Sequence, residues 1–338
     1  MKKVAVVILN WNGKSWLEKF LPSIKQHTDH TDYEVIVADN GSTDDSILFL
    51  KNNHPQIGLI ELDKNYGFTG GYNRALKLVK AKYFVLLNSD IEVSPHWLDI
   101  LTTEMEKDEN LGACQPKILA YNDKNSFEYA GASGGFIDKY GYPFCRGRVF
   151  FTTELDLKQY NEPLEIFWAT GACLMVRAEL YEKIGGLDEA FFAHMEEIDF
   201  CWHVQNLGYK IKVFPTSVVY HVGGGTLAQG NPRKTYLNFR NNLALLFKNL
   251  PFPNNILVVF QRLFLDGVAG IHALTKGDYK ETIAIVKAHF SFYRWIPSLL
   301  KKRKLIPNKK KITEIQGGHS KSIVYQYFIS KKKKFSEL

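Results

Sequence analysis

Three acidic side chains within four positions are the chain's strongest candidates for acid–base chemistry. Glu196, Glu197 and Asp199 are flanked by phenylalanines and begin a helix that the sequence predicts over residues 196–207. A carboxylate that is partly shielded from water has a raised pKa and can serve as a general base. A solvated first turn, where the helix dipole favours negative charge, fits the same residues. The residue types alone leave both interpretations open.

Asp90 and His221 are the candidate ligands for a divalent cation. Asp90 closes the segment 88–90 directly after an apolar strand predicted over residues 83–87, and His221 follows a strand predicted over 218–220. Carboxylate oxygen is a ligand that Mg²⁺ and Mn²⁺ prefer, and neutral imidazole can complete such a site. A helix cap at Asp90 and a structural histidine at position 221 are the alternatives.

Four polar clusters follow four predicted strands in the first 90 residues, where short apolar runs alternate with helical patterns. Strict alternation of this kind predicts an α/β fold with a mostly parallel sheet that is covered on both faces. Ligands bind such sheets beyond the carboxyl ends of the strands. The sequence therefore predicts one binding site built from residues 10–13, 39–42, 65–71 and 88–90.

Two of these clusters suggest a nucleotide. The Asp39 carboxylate could accept a hydrogen bond from the imide N–H of uracil or thymine. The backbone N–H groups of the glycine-rich turn over residues 67–73 could face phosphates. The turn matches neither the dinucleotide pattern G-x-G-x-x-G nor the P-loop spacing. A helix cap near Asp39 and a plain turn at 67–73 are equally compatible with these residues.

As an ordered set, these segments resemble the inverting glycosyltransferases of family 2, which have the GT-A fold. The similarity covers about residues 3–245 and is greatest to bacterial rhamnosyl- and galactofuranosyltransferase-like members that build surface polysaccharides. The matching segments are VVILNWNG at 6–13, VADNGSTD at 37–44, NYGFTGGYN at 65–73, VLLNSD at 85–90, TGACLMVR at 170–177, GGLDEAFF at 185–192, EEID at 196–199 and VVYHVGG at 218–224.

The resemblance implies roles on the donor side of the site. The family's D-x-D-like element begins with Asn88 here, so Asp90 becomes the main carboxylate ligand of Mg²⁺ or Mn²⁺ and the metal site depends more on His221. The residues expected to contact the nucleoside, ribose or diphosphate are Asn10, Asn12, Asp39, Asn65, Gly70, Gly71, Asn73, Ser89 and Arg240.

For the reaction, the resemblance implies transfer of a sugar, with inversion, from a dTDP- or UDP-linked donor to a hydroxyl of a glycan or lipid-linked acceptor. Glu196 and Glu197 stand where the family usually has Glu-Asp, and which of the two is the base stays open, with Asp199 as a third candidate. Trp168 and Gly171 would shape the acceptor side.

Two other functions compete with this interpretation. A sugar nucleotidyltransferase shares the early αβ pattern, but it would carry a basic, glycine-rich phosphate loop after the first strand, which Asn10-Trp11-Asn12-Gly13 is not. A catalytically inactive carbohydrate- or nucleotide-binding protein on the same fold would also fit the motifs. A dinucleotide oxidoreductase lacks its glycine fingerprint.

The resemblance implies a GT-A nucleotide-sugar-binding domain with a mostly parallel central sheet over residues 1–245. The composition of the remaining residues predicts a C-terminal helical extension over 246–300 and a basic, partly disordered tail over 301–338. The tail holds twelve Lys or Arg and two Glu, a net charge of +10, which leaves −2 on residues 1–300. Together with the apolar and basic segment 256–300, this predicts peripheral attachment to an anionic membrane surface. An ordinary helical subdomain, a dimer contact and a solvated tail are the alternatives.

The remaining features favour a cytoplasmic protein. The apolar run Val4–Leu9 is too short for a signal peptide, and the best membrane-span candidate, Ile256–Leu274, is interrupted by Gln261, Arg262, Asp266 and His272. The four cysteines have no metal-clip or redox spacing and are expected to be reduced thiols. The basic run carries few aromatic residues, so no nucleic-acid partner is expected, and no oligomeric state is predicted.

Overall fold

The computed structural model describes residues 2–223 and 231–338, and Gly224, the last residue of the VVYHVGG segment, lies outside them. The first 90 residues contain four parallel strands in the spatial order β4-β1-β2-β3. All side chains of Val4–Ile8 in the first strand are fully buried, as expected for a strand covered on both faces. These strands are β1 (Lys2–Asn10), β2 (Tyr33–Asp39), β3 (Gly58–Glu61) and β4 (Ala81–Asn88).

Three helices connect these strands: α1 (Lys14–His27), α2 (Ser46–Asn53) and α3 (Gly67–Leu76). Helix α3 begins inside the glycine-rich segment, earlier than the sequence predicts, so Gly71 lies within the helix. A Cβ at Gly71 would stand 2.7 Å from Cδ1 of Leu9, and the glycine therefore allows α3 to pack closely on β1.

The rest of the described chain adds further strands and helices. The strands are β5 (Ile91–Val93), β6 (Leu111–Ala120), β7 (Gly135–Asp138), β8 (Pro143–Cys145), β9 (Arg148–Val149), β10 (Thr152–Thr153), β11 (Leu164–Glu165), β12 (Cys173–Arg177), β13 (Lys210–His221) and β14 (Gly318–His319). The α-helices are α4 (Trp97–Lys107), α5 (Ala178–Ile184), α6 (Glu196–Asn206), α7 (Pro232–Asn249), α8 (Asn254–Thr275) and α9 (Tyr279–Leu305). Short helices of other types cover Ile312–Glu314, Tyr325–Ile329 and Phe335–Glu337.

The main sheet has the strand order β11-β13-β6-β12-β4-β1-β2-β3, with β5 paired to β13. Strands β13, β6, β4, β1, β2 and β3 run parallel, which confirms the predicted α/β fold with a mostly parallel sheet. Strand β12 is antiparallel to both β4 and β6, so its amino end lies where β4 ends. The loop before β12 therefore reaches the edge of the sheet at which ligands were expected.

The basic tail is folded, in contrast with the expected partial disorder. Strand β14 pairs in parallel with β7 and completes a second, smaller sheet of order β10-β9-β8-β7-β14. Ile323 and Tyr327 are buried against Phe144 and Val149 of this sheet. Asp138 Oδ2 also accepts a 2.9 Å hydrogen bond from the backbone N–H of Ile323. The apolar residues between the lysine runs supply these contacts, so composition alone overstated the disorder of the segment.

The helical extension begins earlier than predicted, because the expected boundary at residue 245 falls inside α7. Leu243–Leu246 of α7 are fully buried in the main core, and Lys248 is an ion-pair partner of Asp188 and Asp199 at 2.9 and 2.6 Å. Helices α8 and α9 pack on α7. Helix α8 is long and apolar enough to cross a membrane by length and composition alone.

Candidate active site

A buried carboxylate joins the ends of β1 and β2. Asp39 Oδ2 accepts a 3.0 Å hydrogen bond from Asn10 Nδ2, and Asp39 Oδ1 accepts a 2.8 Å bond from the backbone N–H of Ser42. Both Asn10 and Asp39 are fully buried. These contacts fix the two strand ends to each other, at the carboxyl edge where the sequence placed the nucleoside.

Asparagine side chains connect the loops that follow these strands. Asn12 Oδ1 accepts a 2.7 Å hydrogen bond from the backbone N–H of Thr43. Asn40 Nδ2 donates to Asn65 Oδ1 and to the carbonyl of Gly67, both at 3.0 Å. Asn40 lies in the predicted cluster 39–42 but was given no role of its own, although its position directly after Asp39 could have marked it. Three of the four predicted clusters are thereby joined by hydrogen bonds.

The glycine-rich segment contributes a helix start, and one of its predicted residues has a structural role. Gly70 and Gly71 lie in the first turns of α3, with the free N–H groups of the helix start nearby. Asn73 is occupied within the fold, since its amide donates to the Leu187 carbonyl at 2.8 Å and its oxygen accepts from the Tyr181 hydroxyl at 2.7 Å. Asn73 therefore joins α3 to the turn after α5, and its amide and its oxygen both have partners within the fold.

The candidate metal ligands meet where β4 and β13 end. His221 Nε2 lies 3.2 Å from Asp90 Oδ1 and 3.3 Å from Asn88 Nδ2, and His221 Nδ1 lies 3.6 Å from Glu128 Oε2. Ser89, between Asn88 and Asp90, is half-buried at the same strand end. The chain separation of Asp90 and His221 hid this proximity, and Glu128 had no sequence signal because it follows no recognisable motif.

The electrostatics of this pair favour a positive charge at the site. Burial lowers the pKa of His221, but its contacts with Asp90 and Glu128 outweigh burial and raise that pKa to about 10. Burial alone would raise the pKa of Asp90, but the hydrogen bond and the charge of His221 outweigh burial and lower the pKa of Asp90. Two carboxylates around one imidazole thus stabilise a proton, and a divalent cation could take its place.

The two donors also fit one ion geometrically. Ligands at ~2.1 Å from an octahedral cation and at right angles to each other are about 3 Å apart, close to the 3.2 Å between Asp90 Oδ1 and His221 Nε2. Glu128 lies on the far ring nitrogen, where a carboxylate orients a histidine ligand. Over residues 2–223 and 231–338, no group of three or more His, Cys, Asp or Glu is arranged to hold a metal. The remaining ligands would therefore be diphosphate oxygens and water.

The acidic pair lies at the same edge of the sheet. The backbone N–H of Asn88 donates to the Ala172 carbonyl at 3.0 Å, which brings the loop before β12 beside the end of β4. Next to it, a Cβ at Gly171 would stand 3.8 Å from Glu197 Cβ and 3.1 Å from the Phe68 ring. Gly171 thus separates Asn88 from Glu197 by one short segment of backbone, and a larger residue there would narrow the space between them.

Burial and mutual repulsion make both glutamates hard to ionise. Burial, reinforced by the charge of Glu197, raises the pKa of Glu196 well above its ordinary range. Burial raises the pKa of Glu197 to about 7. Glu196 is 6% exposed, whereas Glu197 is half-buried, and each has one carboxylate oxygen that makes no hydrogen bond to the described protein atoms. A carboxylate in this state can hold a proton or accept one near neutral pH.

A strained loop aims the helix that carries these glutamates. Phe192, His194 and Met195 all have positive φ, at 67°, 68° and 74°. Such conformations are costly for residues other than glycine and persist only where neighbouring contacts enforce them. Asn241 Nδ2 supplies those contacts by donating to the carbonyls of Phe191, Ala193 and His194 at 3.0, 2.9 and 2.8 Å. Asn241 is therefore a positioning residue. The sequence motif had pointed to its neighbour Arg240 instead.

Replacing Asn241 with Leu should release this loop. We expect the free energy of unfolding to fall by about 2–3 kcal/mol, because hydrogen bonds of ~1 kcal/mol each are lost and buried carbonyls stay unpaired. We also expect kcat to fall, because this loop sets the position of the helix that carries Glu196 and Glu197. Urea unfolding and steady-state kinetics measure the two effects. Asn206→Leu, also buried in this core, is the matched control, and an equal loss of kcat there would remove the special role of Asn241.

Three predicted site residues have structural contacts in place of a site role. Asp199 accepts bonds from Lys248 at 2.6 Å and from Asn249 at 2.7 Å, so its carboxylate points into an ion-pair network and away from the base position. Arg240 donates to the Phe191 carbonyl at 3.1 Å and stacks on Trp295, so it supports the strained loop and not a phosphate. Trp168 is 3% exposed, and its Nε1 donates to the Phe136 carbonyl at 2.9 Å inside the core.

The fold and the edge define a class of protein. The mostly parallel sheet, with the candidate site at its carboxyl edge, has the GT-A fold, which solved structures share. The structure is similar to that of GalNAc-T7 with UDP, GalNAc and Mn²⁺, with a TM-score of 0.60 and 14% identity over 88% of this chain and 58% of that one. It also resembles the mannosyltransferase PcManGT from Pyrobaculum calidifontis in complex with GDP-Man and Mn²⁺, with a TM-score of 0.53 and 15% identity over 86% and 87%.

The sequence comparison identifies the family. The profile of glycosyl transferase family 2 matches residues 5–185, and the chain belongs to this family. Among curated proteins, it is 25% identical to the N-acetylglucosaminyl-diphospho-decaprenol L-rhamnosyltransferase of Mycobacterium tuberculosis over 234 residues, which are 64% of this chain and 75% of the relative. The predicted resemblance to rhamnosyltransferase-like members is thereby confirmed.

Proposed function

We propose that the protein transfers a sugar, with inversion, from a dTDP- or UDP-linked donor to a hydroxyl of a glycan or lipid-linked acceptor in surface polysaccharide synthesis. Two neighbouring contacts support this proposal. Glu197 lies beside Gly171, whose neighbour Ala172 bonds Asn88 at the end of β4, and Asp90 contacts His221 just beyond that strand end. An inverting displacement needs one base and one site for the leaving diphosphate. This edge offers both, on either side of Gly171.

Glu197 is the base in this proposal. It is more exposed than Glu196, it faces Gly171, and burial keeps its pKa near the pH at which proton transfer is most effective. Its carboxylate removes the proton of the acceptor hydroxyl while the acceptor oxygen bonds to the anomeric carbon and the bond to the diphosphate oxygen breaks. Burial and the charge of Glu197 favour the neutral form of Glu196, so Glu197 is the carboxylate of the pair that ionises more easily.

Asp90 and His221 would hold a divalent cation at the leaving group. Such a cation would offset the negative charge that develops on the diphosphate. Asn10, Asn12, Asp39 and Asn65 would shape the nucleoside side, with the start of α3 near the phosphates. We further propose that the reaction occurs at the cytoplasmic face of a membrane, where a lipid-linked acceptor would lie.

The experiment that tests this function has two readouts. Incubation with UDP- and dTDP-sugars and Mn²⁺ should release nucleoside diphosphate, and NMR of the product should give the anomeric configuration opposite to the donor's. Release of pyrophosphate would identify a nucleotidyltransferase, and donor binding without release would identify an inactive binding protein. A thermal-shift series over nucleoside diphosphates, with and without Mn²⁺, should select the base, because a ligand bound only to the native state raises the melting temperature.

The rate and the stability should respond to pH with opposite signs. The raised pKa of Glu197, about 7 against 4.5 for an ordinary glutamate, means that the base is protonated in acid, so kcat/KM should rise with pH through about 7. The folded state also binds this proton more tightly than the unfolded state does. Its contribution to stability should therefore be lost progressively between about pH 4.5 and 7. Kinetics and urea unfolding across pH 4–9 measure both slopes. Glu197→Gln should remove the slope of the rate and reduce the slope of the stability, part of which persists because the pKa of Glu196 is also raised.

A further inference from the structure

Helix α8 has its charges inside and its apolar side chains outside. Arg262 and Asp266 are 4% and 0% exposed, and over residues 254–275, all of which the structure describes, no charged side chain reaches the outer face. The outer face carries large apolar residues that are 49–74% exposed: Ile256, Leu257, Phe260, Phe264, Val268, Ile271 and Leu274. A contiguous exposed apolar surface of this kind marks a site of contact with a membrane or with another protein.

The inner side of α8 is firmly attached to the protein. Arg262 Nη1 donates to Asn242 Oδ1 of α7 at 2.5 Å and to the Tyr140 carbonyl at 3.3 Å, and its guanidinium lies 3.6 Å from the Tyr142 ring centroid. Asp266 binds Arg262 Nε at 2.6 Å and lies 3.3 Å from His289 of α9. If α8 crossed a bilayer, the buried Arg262–Asp266 ion pair would lose its protein partners and lie in the hydrocarbon core. The helix is therefore held side-on, along the surface of the protein.

Helix α9 extends the same surface and adds positive charge. Its exposed apolar residues recur at alternating spacings of four and three: Tyr279, Ile283, Val286, Phe290, Tyr293, Pro297 and Leu300. Beside them, exposed basic residues recur every seven positions: Lys280, Lys287, Arg294 and Lys301. Residues 282–305 contain no acidic residue. The exposed apolar residues of α8 and α9, together with these four basic residues of α9, form a surface that we call the hairpin face.

We propose that the hairpin face lies in the interfacial region of an anionic lipid bilayer. Apolar side chains of this kind insert at the boundary between head groups and acyl chains, while flanking lysines and arginines bind anionic head groups. A second copy of the chain is a poorer partner, because two such faces would bring one basic stripe against another without acids to pair with them. In this proposal, membrane attachment resides mainly in α8 and α9, which lie in the segment 256–300 that the sequence predicted to act together with the tail.

The hairpin face lies close to the acceptor side of the site. Trp295 of α9 stacks on Arg240 of α7, which donates to the Phe191 carbonyl in the strained loop before Glu196. One helix and one loop therefore separate the bilayer from the glutamate pair. A lipid-linked acceptor would reach Glu197 with its head group while its chain stays in the membrane.

Flotation of the full chain with vesicles tests the proposal. Vesicles of phosphatidylglycerol and phosphatidylcholine should carry the protein upward in a density gradient, and pure phosphatidylcholine vesicles should carry less. Phe260→Ser and Phe264→Ser should each lower the partition coefficient about tenfold or more. Phe151→Ser is the matched control, since Phe151 is 70% exposed but lies outside the hairpin face. Lys287→Glu with Arg294→Glu should abolish the preference for phosphatidylglycerol, whereas Lys183→Glu on α5 should not.

Nucleoside-diphosphate binding, followed by thermal shift, verifies that each variant is folded. Absence of flotation, or an equal loss in Phe151→Ser, overturns the proposal. A dimer that Phe260→Ser dissociates, in a chain that does not float, would assign the face to a second copy. Retention in the membrane after alkaline carbonate extraction would mean that α8 spans the bilayer, and would equally overturn the side-on arrangement.

Discussion

Replacing Glu197 with Gln is expected to slow sugar transfer by about 10²–10⁴-fold, the range over which a positioned general base acts. Gln keeps the size of the side chain beside Gly171 but cannot take the proton of the acceptor hydroxyl. Binding of the donor should be unchanged, because Asp39 and Asn65 lie on other loops of the edge. Single-turnover rates and the donor-induced thermal shift measure the two quantities separately.

The neighbouring glutamate provides the contrast. Glu196→Gln should cost much less activity, since burial and the charge of Glu197 raise the pKa of Glu196 well above its ordinary range and so favour its neutral form. Glu182→Gln, on the exposed side of α5, is the matched control and should leave the rate unaltered. A larger loss in Glu196→Gln than in Glu197→Gln would exchange the two roles. Equal small losses would exclude both residues as the base.

The parts of the site that lie at strand ends could be predicted because they depend on local pattern. An apolar run followed by Asn10, by Asp39 or by Asp90 gives both the strand and its end, and parallel pairing then brings the ends together. To predict that Asp90 lies close to His221 also required the resemblance to a family, since the two residues are far apart in the sequence. The pairing of β5 with β13, which sets Ile91 opposite His221 directly after Asp90, now provides the physical cause of their proximity.

The site roles that the structure supports least are those of polar side chains with partners inside the fold. Asn73, Arg240 and Asp199 stand in or near matching motifs, yet each binds a carbonyl, an amide or a lysine inside the fold. A buried polar group must find such partners, and the partners come from segments that pattern analysis treats separately. The same limit hid Asn241, whose three carbonyl acceptors belong to a loop about fifty positions away.

The C-terminal third shows the limit of composition. Lysine runs predicted a disordered tail, but Ile323 and Tyr327 between them reach the second sheet. In α8, hydropathy gave an apolar helix, while the side on which Arg262 and Asp266 lie depends on Asn242 and His289 of neighbouring helices. Mean hydropathy cannot distinguish a helix that is apolar inward from one that is apolar outward, and here the difference decides what the helix contacts.

Asp90→Asn is expected to lower kcat/KM by about 10²–10³-fold, the cost of losing one group that stabilises charge on the leaving oxygen. The amide keeps the shape of the side chain but weakens a hard-cation site, since it removes the negative charge that Mg²⁺ and Mn²⁺ prefer. It also removes one of the two carboxylates that raise the pKa of His221. Nucleoside diphosphate should therefore raise the melting temperature of this variant by the same amount with and without Mn²⁺. The shift that nucleoside diphosphate produces without metal should persist.

Glu92→Gln separates this effect from a general loss of charge near β5. Glu92 lies two residues beyond Asp90 and pairs with Lys124 at the surface, so its replacement should alter neither the rate nor the Mn²⁺ response. If Asp90→Asn retained a normal rate and a full Mn²⁺ response, the 3.2 Å contact between Asp90 and His221 would have a structural role only and would not bind a metal. Charge on the diphosphate would then have to be balanced by the start of α3, the other group at this edge that can favour an anion.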